Sequence, residues 1–433
     1  MIIHVVQSGE TLYSISTSYG ISSSRLIQDN GLTSPNELAV GQTIVIVYPK
    51  EIYTVREGDT LQSIAYDHNI TLMQLLRNNP YLINREFIYT GESLVISYED
   101  EKIRNISTNG YTYPFINREI LKKTLPFLTY ITIFNYRVTV EGEIIDIDDM
   151  EIIQLAKEYR VAPLMLITAL TEDGIFSSEV THAILNDQEL QNKFIDNILT
   201  ILKAKGYYGL NIDSQYILIE DRQLFVDFTE KITNRLNNEG FQVIVTLTPR
   251  TLEDGTITIY ESIDYQGLGQ AANGLLLISY EWGSSFGPPA AVTPINVVQV
   301  LLDFAVTQIP PEKITLGIPI IGYDWQLPHI QGVSRAYSLS STAAIELAVA
   351  EGATILYDET AQAPYFYYTE TSRGEPTQHI VWFKDARSIK ALTDLVPFYG
   401  FPGIGVWNVM TFFTQMWFII NTQYDIEKIE TLI

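Results

Sequence analysis

The sequence predicts an α/β protein. Its largest part is a (β/α)8 barrel (a TIM barrel) with a small α+β insertion between strands seven and eight, preceded by two short βααβ modules. Three observations predict this. The N-terminal block repeats itself at a spacing of 49 residues. Residues 107–433 alternate eight β-rich runs with amphipathic helical stretches, in a length that suits a barrel carrying an insertion. Between the last two runs lies a tyrosine-rich segment that alternates as a strand pair does. The expected division is 1–49, 50–98, a polar linker at 99–106, and a barrel at 107–433 with its insertion at about 330–390.

The repeat comes first in the chain. "HVVQSGETLYSISTSYGIS" (4–22) recurs as "YTVREGDTLQSIAYDHNIT" (53–71). Gly9, Thr11, Leu12, Ser14 and Ile15 fall on Gly58, Thr60, Leu61, Ser63 and Ile64, and Asn30 falls on Asn79. "HVV" and "YTV" open each unit as short strands. "SGET" and "EGDT" form turns, with Thr11 or Asp59 available to cap the helix that follows. Leu12, Ile15 and the aliphatics near 26 and 75 lie on one helical face. "QTIVIVY" and "ESLVISY" close the units as strands.

These residues resemble two LysM modules: the V-x-x-G-[ED]-T-L-x-S-I opening, the Asn after the second helix and the late Gly, at 41 and 91. The resemblance implies binding of N-acetylglucosamine glycans such as peptidoglycan or chitin. It places a groove at Gly9, Glu10 and Thr11 with the stretch Leu32 to Leu38, and a second at Gly58, Asp59 and Thr60 with Tyr81 to Ile83. For the individual glycines, a plain turn-forming role is an equal reading. Tandem copies imply avidity.

In the larger part, the candidate strands are "TNGYTY", "FLTYITIFNY", "PLMLITALT", "GLNID", "QVIVTLTP", "GLLLISYEW", "KITLGIPIIGYDW" and "GIGVWNV", with helices between them such as 191–205 and 221–237. Several strands end in polar or aromatic residues: Asn135, Asp213, Tyr280–Glu281–Trp282, Tyr323–Asp324–Trp325 and Trp407. A barrel gathers those C-terminal ends at one mouth. Three of the five tryptophans fall there. Aromatic faces suit the apolar C–H faces of sugar rings. The segment 357–388 reads as the inserted subdomain, with His379 in a structural role.

Composition narrows the functions. A net charge of −24, from 51 acids and 27 bases, argues against nucleic acid and against an anionic membrane surface. No apolar stretch is long enough to insert in a bilayer. The chain has no cysteine, which removes disulfides, thiol chemistry and Cys-based zinc sites. No His/Asp/Glu group has metal-ligand spacing, no glycine-rich loop cradles phosphate, and no Gly-x-Ser-x-Gly elbow occurs. Neither a metal nor a cofactor is expected. "MIIHVVQSGE" lacks the basic and apolar regions of a conventional signal peptide, so cytoplasmic synthesis is expected.

The barrel resembles glycoside hydrolase family 18, in particular its spore-associated branch, the SleL-type cortical fragment-lytic enzymes with two LysM modules. The resemblance rests on "GYYGLNID", "SYEWGSSFGPPAAVTP", "LGIPIIGYDW", "AQAPYF", "VWFKDARS" and "GIGVWNV". It implies a retaining, substrate-assisted reaction at a D-x-x-D-x-D-x-E signature. There the last Asp orients the sugar's 2-acetamido group and the Glu protonates the leaving oxygen. Those positions are Tyr208, Asn211, Asp213 and Gln215 here. The resemblance assigns Tyr280 to the acetamido oxygen and Trp407 to the floor under the reacting sugar. It also implies a spore-layer location, a peptidoglycan or other N-acetylglucosamine glycan as partner, and sugar contacts from Asn135, Tyr208, Asn211, Glu281, Trp282, Tyr323 and Asp324.

Gln215 is the departure that matters, with Ser214 beside it. A carboxamide has the shape of a carboxylic acid but gives up no proton near neutral pH. Three readings follow: a glycan-binding protein with a disabled barrel; a hydrolase in which another acid such as Glu281 takes over; and an engineered trap, against which the second change at Ser214 speaks.

Overall fold

The computed structural model describes all residues except 84, 86, 171–175, 214–216, 252–256, 259–261, 281, 372–373 and 430–433. Each N-terminal module is a strand, two helices and a returning antiparallel strand. The first runs Ile2–Val5, Leu12–Tyr19, Ser23–Asn30 and Thr43–Ile46; the second runs Pro49–Thr54, Leu61–Asp67, Leu72–Asn78 and Ser93–Tyr98. The repeat has a physical basis. Thr11 and Thr60 each begin a helix with a reciprocal capping box to Ser14 and Ser63. Asp59 does not cap; its carboxylate closes the turn, accepting from Tyr53 Oη at 2.8 Å and Arg56 N at 2.7 Å. Asn30 and Asn79 are buried braces. Each donates to two backbone carbonyls (Leu26 and Val45; Leu75 and Val95) and accepts from the N–H of the same returning strand.

Eight parallel strands close the barrel: Arg104–Thr112, Tyr130–Val138, Ala162–Thr168, Gly209–Asp213, Gln242–Leu247, Gly274–Ile278, Ile314–Pro319 and Gly403–Trp407, the last pairing with the first. Two of the intervening helices span Gln188–Lys205 and Arg222–Asn237. The first barrel strand starts at Arg104, so the segment joining it to the second module is 99–103 rather than 99–106. The run "KITLGIPIIGYDW" is two strands, not one. Ile314–Pro319 belongs to the barrel, and Ile321–Gln326 enters a five-stranded antiparallel sheet with Tyr337–Ser340, Leu356–Asp358, Ala363–Glu370 and Thr377–Trp382. This sheet and the helix Ser341–Ala350 are the insertion between strands seven and eight. It spans 321–382, starting earlier and ending sooner than 330–390.

The modules are not tethered loosely. The helix Thr414–Gln423 follows the last barrel strand and is buried from Gln415 to Gln423. Gln415 Nε2 donates to Asn30 Oδ1 at 3.0 Å and to Thr43 O at 2.6 Å in the first module. Asn421 Nδ2 donates to Asn78 Oδ1 at 2.9 Å in the second. Val45, Val47, Val95 and Tyr98 of the modules share one apolar cluster with Phe127, Trp417 and Phe418. No described helix is long and apolar enough to cross a membrane.

Candidate functional site

A cavity of about 320 Å³ opens at the C-terminal ends of the barrel strands. Tyr111, Phe134, Asp213, Thr246, Tyr280 and Trp407 all line it. They come from six different strands or from the residues just after them, as the barrel's geometry requires. Asp213 ends the fourth strand and is 5% exposed, and Tyr280 is 8% exposed. Trp407 lies edge-on to Phe134 and Tyr113 at centroid separations of 5.5 and 6.1 Å. Aromatic walls around a buried carboxylate and two phenols can hold a sugar ring by its apolar faces and engage its polar substituents.

Beneath the mouth is a polar layer. Asn211 is fully buried, two residues before Asp213 on the same face of the strand. Its Nδ2 donates to Tyr111 Oη at 2.7 Å, and its Oδ1 accepts from Thr246 Oγ1 at 2.9 Å. Asn211 therefore supports the cavity's lining and does not itself line it. Burial, reinforced by the Asp213 carboxylate, holds the Tyr111 hydroxyl well above the usual phenol range. Tyr111 stays protonated, so it remains a hydrogen-bond donor at neutral pH.

The other expected contacts are dispersed. Tyr208 is a correction: it precedes the start of the fourth strand, at the opposite end of the barrel. There it borders a separate hollow with Lys157, Lys203 and Phe241. Five residues of strand put it roughly 16 Å from Asp213. Asp324 faces away as well; its carboxylate accepts from Tyr368 Oη at 2.6 Å and pairs with His379 Nδ1 at 2.9 Å inside the insertion. That pairing is also the structural role expected for His379. Trp325 is fully buried, its Nε1 donating to Gly287 O at 2.9 Å. Trp282 packs, partly buried, against the barrel core. Only Trp407 of the three mouth tryptophans lines the cavity. Tyr323 packs beside Tyr280 and Trp407, and half-buried Asn135 donates to Thr168 Oγ1 at 2.9 Å. Gln215 and Glu281 lie outside the described residues. Tyr111, Tyr113, Phe134 and Thr246 were missed, although the aromatic end of "TNGYTY" carried the same signal as the other strand ends.

At the modules, Gly9 and Gly58 sit in tight turns with φ of 83° and 87°. Glu10 accepts from Gln7 N at 2.7 Å and pairs with His4 Nε2 at 2.8 Å; the backbone bond chiefly holds its carboxyl below the ordinary range. The polar side chains of Glu10, Thr11, Asp59 and Thr60 thus close their own turns and caps. Among the described residues no cluster of acids, histidines and cysteines could hold a metal.

A closed parallel barrel whose mouth holds an aspartate among aromatic residues fits a sugar-binding cleft. The sequence places it in a family. Residues 171–411 match the glycosyl hydrolases family 18 model, and 4–47 and 53–97 match the LysM domain. The chain belongs to glycosyl hydrolases family 18 and carries two LysM domains. It is 33% identical to the cortical fragment-lytic enzyme of Bacillus anthracis over 98% of this chain and 99% of that one. With the cortical fragment-lytic enzyme of Bacillus subtilis (strain 168) it shares 32% identity over 99% of both. Among solved structures, the Bacillus cereus spore cortex-lytic enzyme SleL superposes with a TM-score of 0.81 at 32% identity, covering 99% of this chain and 98% of that chain.

Proposed function

We propose that this protein binds N-acetylglucosamine glycans of spore-cortex peptidoglycan, with its hydrolytic step strongly impaired. The observation that carries this is Gln215, two residues after Asp213, where the family pattern calls for a glutamate acid. The cavity supports binding: Asp213, Tyr280 and Trp407 line one pocket beside Tyr111. Asp213 and Tyr280 are suited to the acetamido group, and Trp407 to a ring face. What is missing is the proton donor. Cortex as the glycan's source is supported by the names of the full-length relatives, and the spore as location by the name of the solved spore cortex-lytic enzyme.

A second reading has its own support, because those relatives are named as lytic enzymes. In it the chain is a retaining N-acetylglucosaminidase acting on cortex fragments, with another acid such as Glu281 donating the proton. The test compares the natural chain with Gln215→Glu on cortex fragments and chitooligosaccharides, following released N-acetylglucosamine by mass spectrometry. The binding reading expects the variant to be faster by roughly 10²–10⁴. Equal activity in both chains would overturn it in favour of the hydrolase, and Glu281→Gln would then abolish turnover.

A further inference from the structure

Between the two modules lies a cleft of about 510 Å³, which shares only Tyr81 with the two predicted grooves. The first module contributes Arg25 and Gln28. Tyr48 lies where the modules join, and the second module contributes Ile52, Tyr81 and Glu92. Ile52 is 57% exposed, an aliphatic face in the cleft that the protein leaves uncovered. The charges, by contrast, are already matched. Arg25 Nε donates to Asp29 at 2.8 Å and its Nη2 donates to Tyr98 Oη at 2.7 Å. Arg85, whose guanidinium lies 5.3 Å from the Tyr81 ring centroid, donates to Glu92 at 2.7 Å.

Those pairings decide the ligand class. A phosphate or carboxylate would need a cation not already engaged, and a basic peptide would need an available acid. Among the described residues the cleft offers neither. It offers tyrosines, an exposed aliphatic side chain, an amide and hydroxyls, in a volume typical of small-molecule sites. Such a surface matches an uncharged ring with apolar C–H faces and amide and hydroxyl substituents.

We propose that the cleft between the modules is a further saccharide site, taking an uncharged N-acetylated sugar segment. The proposal rests on the reading that the modules bind such glycans. A glycan there would touch both modules at once, and the closing helix fixes their spacing.

The absence of cysteine makes a local test direct. In the full chain, Gln28→Cys carries an environment-sensitive fluorophore at the cleft, and a separate Glu57→Cys chain carries it beside the second predicted groove. Both are titrated with the N-acetylglucosamine tetramer. The expected result is a saturable response at position 28 that Ser24→Trp, filling the cleft from an exposed helix position, abolishes. The position 57 response should survive that substitution, which also shows the variant to be folded. A silent label at 28, or one indifferent to Ser24→Trp, with position 57 responding, overturns the cleft site and leaves the module reading standing. Silence at both positions overturns the two together.

Discussion

Asn30 shows how much one side chain can carry in a small module. It satisfies the Val45 N–H and bonds the Leu26 and Val45 carbonyls inside the fold, and it also accepts from Gln415 across the module–barrel junction. Asn30→Ala would orphan buried backbone groups of the returning strand, at about 1–3 kcal/mol each. We expect a loss of about 3 kcal/mol in chemical denaturation. A loss below about 0.5 kcal/mol, the usual range of a surface change, would mean that water replaces the brace. Asn30 was legible in the sequence as a repeat position matching Asn79, but not as a brace, because Val45 and Gln415 lie 15 and 385 residues away along the chain. Asp213 and Trp407 were legible because they end apolar runs. Tyr208 misled because a spacing taken from a family pattern carries no sense of which end of the strand a residue occupies. Seen on the strand, five residues separate the two ends of the barrel.

At the scale of elements, the barrel strands could be read because strands buried on both faces form continuous apolar runs bounded by turns. The break at Ile320 could not. The residues on either side are equally apolar, and only the tertiary structure separates a barrel strand from an insertion strand. A second consequence arises where the last insertion strand leads into the helix Ala386–Tyr399. Lys384 is fully buried there, with Nζ donating to Thr293 O at 3.2 Å. Burial pushes its ammonium down to about 7, against the opposing pull of Asp385. The depressed value means that the unfolded chain holds this proton more tightly than the folded one. This group therefore raises stability as pH climbs from about 7 toward the unfolded lysine range, and below about 7 its full penalty applies. Lys384→Met removes the penalty. We expect the variant to be more stable than the natural chain at pH 6.5, with the advantage shrinking by pH 9. Denaturation midpoints at both pH values check this, and a pH-independent difference would contradict it.

For the molecule as a whole, the question is whether glycan-binding modules and barrel act as separate bodies. The closing helix argues that they do not. Its buried span faces both modules through Gln415 and Asn421, and Tyr98 packs on Phe418 with ring centroids 5.5 Å apart. Val45, Val47 and Val95 extend the barrel's apolar core into the modules. Each such side chain contributes about 1.5–3 kcal/mol when fully buried. Removing residues 1–98 would strip that cover and leave a large apolar patch facing water. We expect the shortened chain to melt well below the full chain or to aggregate, and the full chain to unfold in a single transition followed alike by tyrosine and tryptophan signals. All five tryptophans lie in the barrel portion and none in the modules, so the tryptophan signal follows the barrel alone, whereas the tyrosine signal follows both parts. A module transition preceding an unchanged barrel transition would show that the junction is weak. A single transition would mean that modules and barrel unfold as one unit, so that a ligand bound at either place stabilises both.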